Sequence, residues 1–177
     1  MKIFLDDEDK KVFLSLLKRY LSSKLEKDLA RRYYRSFFGE IELLTYALMP
    51  NHFHLLIYQV NERSIVGFMK SVMISYGIYF NKKFQRQGPV FQSRYLAKRI
   101  ETTEQLTHVS RYIHLNPSNW HGTTDSSIDF YSGKRHAKWI EPRKILQLFP
   151  SYDAYLEFLK TYDPKHDEEL ADIEPDD

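Results

Sequence analysis

Residues 41–60 constrain the fold of this chain more than any other stretch. The runs 41–49 (IELLTYALM) and 52–60 (HFHLLIYQV) have β-forming composition, and Pro50-Asn51 between them supplies a turn, so the pair predicts a β-hairpin. Alternate side chains of a strand point the same way, so in MPNHFHLLI the imidazoles of His52 and His54 share a face with Leu56. Phe53, Leu55 and Ile57 share the opposite face, which is expected to anchor in the core. Two imidazoles so placed can chelate one divalent ion. The plainer reading is an apolar strand with two packed histidines, and the spacing alone leaves both open.

Helical spacing flanks the hairpin on both sides. Asp6 and Asp7 precede Val12, Phe13, Leu16, Leu17, Tyr20 and Leu21, predicting a helix over 8–27 with acids in its first turn. Residues 28–40 (DLARRYYRSFFGE) are basic and aromatic with little periodicity, and read as helix running into a loop that ends at Gly39. Ile65, Phe68, Met69, Val72, Tyr76, Tyr79 and Phe80 form one stripe of a helix over 62–83, which gives way near Gly88-Pro89. Residues 90–100 (VFQSRYLAKRI) alternate apolar and polar, predicting a strand with a basic exposed side. Thr102 or Thr103 can cap a helix through Leu115 that Pro117 helps to stop. A loop over 117–137 and short helices over 142–148 and 152–159 complete the chain. Hairpin, helix, strand and helix in series predict an α+β fold, with helices packed on an antiparallel sheet.

Composition bounds the function. The 177 residues contain no cysteine, which excludes thiolate metal sites and leaves His, carboxylate, amide or carbonyl ligands. No apolar run approaches the roughly 20 residues that cross a bilayer, so a soluble, cytoplasmic protein without a membrane partner is expected. Residues 161–177 hold eight acids against Lys165, a net −7; subtracting this from the chain's +2 leaves +9 on residues 1–160. A basic body suits an anionic partner, while the acidic end is expected to be a disordered, solvated tail.

A basic and aromatic stretch, NKKFQRQGPVFQSRYLAKR, interleaves Lys82, Lys83, Arg86, Arg94, Lys98 and Arg99 with Phe84, Phe91 and Tyr95. Cations suit phosphates, and aromatic faces suit unstacked bases. On the following helix, Tyr112 and Asn116 are four residues apart and share a face. An amide oxygen from Asn116 can serve as a third metal ligand, with the Tyr112 phenol beside it as a nucleophile. Composition does not choose among Tyr76, Tyr79, Tyr95 and Tyr112 for that role.

MPNHFHLLI, NKKFQRQGPVFQSRY and RYIHLNP, in that order, resemble the single-tyrosine HUH transposases, particularly the REP-associated tyrosine transposases. The resemblance runs from about residue 3 to residue 116, and more weakly to about 162. It implies a ferredoxin-like α+β domain over 1–122, with residues 123–160 as a C-terminal loop and short helices packed on it. The expected activity is Mg²⁺- or Mn²⁺-dependent cleavage and strand transfer of single-stranded or hairpin DNA. His52 and His54 match the HUH histidines. Tyr112 matches the nucleophile that forms a 5′-phosphotyrosine and releases a 3′-hydroxyl, and Asn116 stands where relatives place a polar third ligand. Family members usually carry a first strand ahead of the segment matching IFLDDED, residues 3–9, and since this sequence starts almost on that segment the strand is expected to be missing. A sheet edge left open by that strand invites completion from elsewhere, and monomer or homodimer stays open. The rival readings are a domesticated or truncated hairpin-DNA-binding protein that does not cut, and a metal-dependent nuclease in which water attacks.

Overall fold

The computed structural model describes residues 1–118 and 124–161, and the acidic end of the chain lies outside the described residues. Its element order is α1 (Asp7–Leu21), β1 (Ile41–Leu48), β2 (Phe53–Gln59), α2 (Ser64–Lys83), α3 (Thr103–Leu115), α4 (Ile128–Tyr131), α5 (Arg143–Leu146) and α6 (Tyr152–Lys160). The class is α+β: β1 and β2 pair as a two-stranded antiparallel sheet, with helices making up the rest of the regular structure. The chain divides into two compact units. One holds residues 1–43, 50–52 and 57–95, and the other residues 44–49, 53–56 and 96 onward.

In the first unit, α1 packs on α2 because each carries one apolar stripe. Phe13, Leu17 and Tyr20 from α1 and Phe68, Val72, Tyr76 and Phe80 from α2 are buried. Phe13 meets both Phe4 and Tyr76 edge-on, at 5.3 Å between ring centroids in each case. The Tyr76 hydroxyl donates to the Ile3 carbonyl, and Tyr20 Oη lies 2.6 Å from Ser75 Oγ. Asp6 caps α1 through Asp9 N–H at 3.0 Å, and Asp9 returns the bond to the Asp6 amide, making a reciprocal capping box. Lys83, in the last turn of α2, reaches Asp6, Glu8 and Asp9 at 2.8–3.0 Å. Partial burial pulls its ammonium pKa down, but bonds to the three carboxylates outweigh that and hold it above the ordinary lysine value.

Two sequence expectations need correction here. The helix expected over 8–27 stops at Leu21, where the apolar stripe ends. Beyond it Tyr34 N–H bonds Glu26 O and Lys27 bridges Tyr33, so residues 26–34 close as an antiparallel turn rather than continuing as helix. Ahead of α1 no strand forms among the described residues, and the amides of Ile3 and Phe4 share the Pro50 carbonyl, at 2.8 and 3.0 Å. Residues 90–100 form no strand. Alternation needs a neighbouring strand to be worth anything, and here the apolar side chains are used singly. Val90 is buried, Phe91 lies 6.1 Å from the Tyr76 ring, and Leu96 is 74 % exposed.

The second unit is built around a cluster of Leu44, Ala47, Leu56, Val109, Ile113, Ile128, Tyr131, Ile145, Tyr155 and Leu159. The loop expected over 117–137 contains α4 and is anchored where it is described. Ala47 bridges Ser126, Leu48 N–H bonds Asp125 O, and Ser127 N–H bonds Tyr46 O. Tyr131 Oη donates to Leu44 O at 3.0 Å and sits 2.6 Å from Thr45 Oγ1, which therefore donates to it.

Candidate active site

Within the second unit, β2 supplies His54 and α3 supplies Tyr112. Their rings lie 5.4 Å apart, centroid to centroid, at an interplanar angle of 76°. Both residues are half-buried. Leu56, on the same alternation as His54, is the buried residue of β2, whereas Phe53, Leu55 and Ile57 are half-buried. Leu56 belongs to one core cluster with Val109 and Ile113 of α3, so the face it shares with His54 packs toward that helix. That packing explains how a residue on a strand meets one on a distant helix. His52 stands one residue ahead of β2, exposed, with Nδ1 2.9 Å from Asn51 Oδ1. Asn116 is the C-cap of α3, one turn beyond Tyr112.

α3 is itself well specified. Thr102 caps it by accepting from Gln105 N–H at 3.0 Å, and Pro117, with no N–H, follows its C-cap. Its inner face carries polar groups that the apolar stripe did not predict. His114 is fully buried, with Nδ1 2.7 Å from Tyr155 Oη and Nε2 2.8 Å from Ser127 Oγ. Donor counting orients this chain. Ser110 spends its hydroxyl on Thr107 O, so Tyr155 donates to Ser110 and Nδ1–H donates to Tyr155; Nε2 of the neutral ring then accepts from Ser127 Oγ, which itself accepts from Tyr46 N–H. Burial pulls the His114 imidazole down to about 3, so it is neutral, and burial pushes the Tyr155 phenol well above the ordinary tyrosine value. Arg111 is buried as well, its guanidinium 4.2 Å above the Phe158 ring and within 3.4 Å of the Phe158 carbonyl. Neither inner-face role is visible in hydrophobic periodicity. The only sequence signal is the i, i+4 pair Ser110–His114 on a face that is otherwise apolar.

Among the other tyrosines, Tyr76 and Tyr79 spend their hydroxyls inside the first unit, on Ile3 O and on Asp9 Oδ1. Of the basic residues singled out in the sequence, Lys82, Arg94, Lys98 and Arg99 are exposed. Arg86 is half-buried with its guanidinium 5.6 Å from the Phe80 ring, and Lys83 is engaged by the three acids of α1 and its cap. No helix among the described residues is long and apolar enough to cross a membrane.

No curated protein and no solved structure matches this chain. A family model described as "Transposase IS200 like" matches residues 13–116, more than half the chain and a span that includes His52, His54, Tyr112 and Asn116. A match of that extent, over the span that contains both the β2 histidine and the helix packed against it, means that the chain belongs to the IS200-like transposase family.

Proposed function

We propose that this protein is a single-tyrosine transposase of the REP-associated kind. It cuts single-stranded DNA beside a hairpin and rejoins it, with residues 1–122 as the catalytic domain. The observation that carries the reading is the 5.4 Å approach of the Tyr112 ring to that of His54, which brings the nucleophile candidate to the histidine motif.

His52, His54 and Asn116 are the residues that would hold a divalent ion. The amide oxygen of Asn116 is a hard donor of the kind that can complete a site begun by two imidazoles. Two imidazole nitrogens with one amide oxygen fit Mn²⁺ at least as well as Mg²⁺, which prefers oxygen ligands. When bound, such an ion supplies positive charge beside the scissile phosphate. Tyr112, whose phenol ordinarily has a pKa near 10, loses its proton to solvent and attacks the phosphorus in line. The Tyr112–phosphate bond forms on the 5′ side as the phosphorus–O3′ bond breaks, and O3′ takes a proton from water. A 3′-hydroxyl later attacks the same phosphorus, restores the free phenol and joins the strands. Lys82, Arg86, Arg94, Lys98 and Arg99 carry the DNA backbone in this reading. Lys83 joins them only by exchanging a carboxylate for a phosphate.

The test is a covalent adduct. Protein incubated with a labelled hairpin oligonucleotide and Mn²⁺ is expected to give a denaturation-resistant band, absent in Tyr112→Phe and present in Tyr76→Phe. An adduct that survives Tyr112→Phe removes Tyr112 from the mechanism.

A further inference from the structure

The basic, aromatic segment after α1 is not used by the reaction above, yet it is built as a defined projection. Asp28 N–H bonds Arg32 O, Arg31 N–H bonds Asp28 O, and Tyr34 N–H bonds Glu26 O, all at 2.8–2.9 Å, around the Lys27–Tyr33 bridge. The Asp28 carboxylate fastens the turn further through the Arg32 amide and Nε, at 2.8 and 3.0 Å. At the tip Arg31 has φ 60°, in the left-handed region where glycine or asparagine is the usual occupant. Leu29 is 106 % exposed and Tyr33 62 %, with Lys27 Nζ 4.6 Å above the Tyr33 ring. Lys24, Lys27, Arg31, Arg32 and Arg35 outnumber Glu26 and Asp28, and Glu26 and Asp28 are already engaged by Arg19 and Arg32. Among the described residues Arg31 makes no ion pair.

The fold therefore holds an unfavourable backbone at Arg31 and leaves Leu29 and Tyr33 exposed beside it. Strain of this kind persists where surrounding structure holds it, and it concentrates at sites of use. A cation flanked by an aromatic and an aliphatic face complements a nucleic-acid strand, whose phosphates alternate with bases. We propose that this turn is a second DNA contact, in which Arg31 meets a backbone phosphate while Leu29 and Tyr33 lie against an unstacked base. The proposal rests on DNA being the partner, as in the reading above, but not on Tyr112 chemistry.

Glycine at position 31 separates binding from folding, because it relieves the left-handed backbone while removing the cation. With a fluorescent hairpin oligonucleotide titrated across a NaCl series, Arg31→Gly in the full chain is expected to bind several-fold more weakly than the parent. Its slope of log affinity against log salt should be shallower by about 0.7 to 0.9 for one lost phosphate contact. Its thermal midpoint should equal or exceed the parent's, Arg31→Lys should keep the parent's slope, and Lys11→Gln on exposed α1 should lose less affinity than Arg31→Gly. The proposal is overturned if Arg31→Gly and Lys11→Gln behave alike, or if the parent does not bind the oligonucleotide. If an adduct forms through Tyr112 while Arg31→Gly binds like the parent, only this contact falls. If binding responds to Arg31 and no adduct ever forms, only the cleavage reading falls.

Discussion

His114 is the residue whose role was least visible in advance and is most tightly defined in the fold. A neutral imidazole has one donor and one acceptor nitrogen, and the directed chain from Tyr46 N–H to Thr107 O uses both. Burial without a compensating charge lowers its folded pKa from the ordinary 6.5 to about 3. The unfolded chain thus takes up a proton below about pH 6.5 that the folded chain refuses. The contribution to stability is complete above that pH and is lost as pH falls toward 3, by about 1.4 kcal/mol per pH unit for this one group. Urea unfolding of the parent is expected to show about 2 kcal/mol less stability at pH 5 than at pH 7. A stability that stays flat over that interval would show that His114 is not held neutral. His54 differs from His114 in being half-buried beside Tyr112. Both are histidines on apolar runs, and only their neighbours in space separate a candidate ligand from a core hydrogen-bonding group.

At the scale of elements, capping and stripe residues made the helices legible. Thr102 caps α3 and Pro117 follows it, as the sequence predicts, and Leu106, Val109 and Ile113 give its apolar side. Thr102→Ala removes the bond to Gln105 N–H, and its expected cost is about 1 kcal/mol, read as a lower urea midpoint with an unchanged slope. Loss of more than about 2 kcal/mol would mean that Thr102 does more than cap. The hairpin was equally plain, because turn chemistry and composition agree over residues 41–60. The 90–100 segment was not, since alternation records which side chains want burial and says nothing about whether a partner strand exists. Val90 and Phe91 find helix α2 and its surroundings instead, and the backbone follows no ladder.

For the whole molecule the dominant sequence-level quantity is charge. Residues 1–160 carry +9 and residues 161–177 carry −7, so a polyanion meets attraction from one part and repulsion from the other. A chain ending at Tyr162 is expected to associate with the hairpin oligonucleotide faster than the full chain at low salt. The difference should shrink as the screening length falls to about 8 Å at 0.15 M. Stopped-flow association rates across that range measure it directly, and equal rates at every salt concentration would leave the acidic end without a long-range role.

The sequence by itself determined the local elements and the residue types available for chemistry. Periodicity, caps and turn residues act over a few neighbours, and the absence of cysteine restricts any metal to nitrogen and oxygen donors. Tertiary structure decided what those elements meet. It turned the His54 face of β2 toward α3 and so brought Tyr112 to His54. It committed the hydroxyls of Tyr76 and Tyr79 elsewhere, buried His114 among hydroxyls, and left residues 90–100 without a strand to pair with. These outcomes depend on contacts between residues far apart in the chain, which only packing can select.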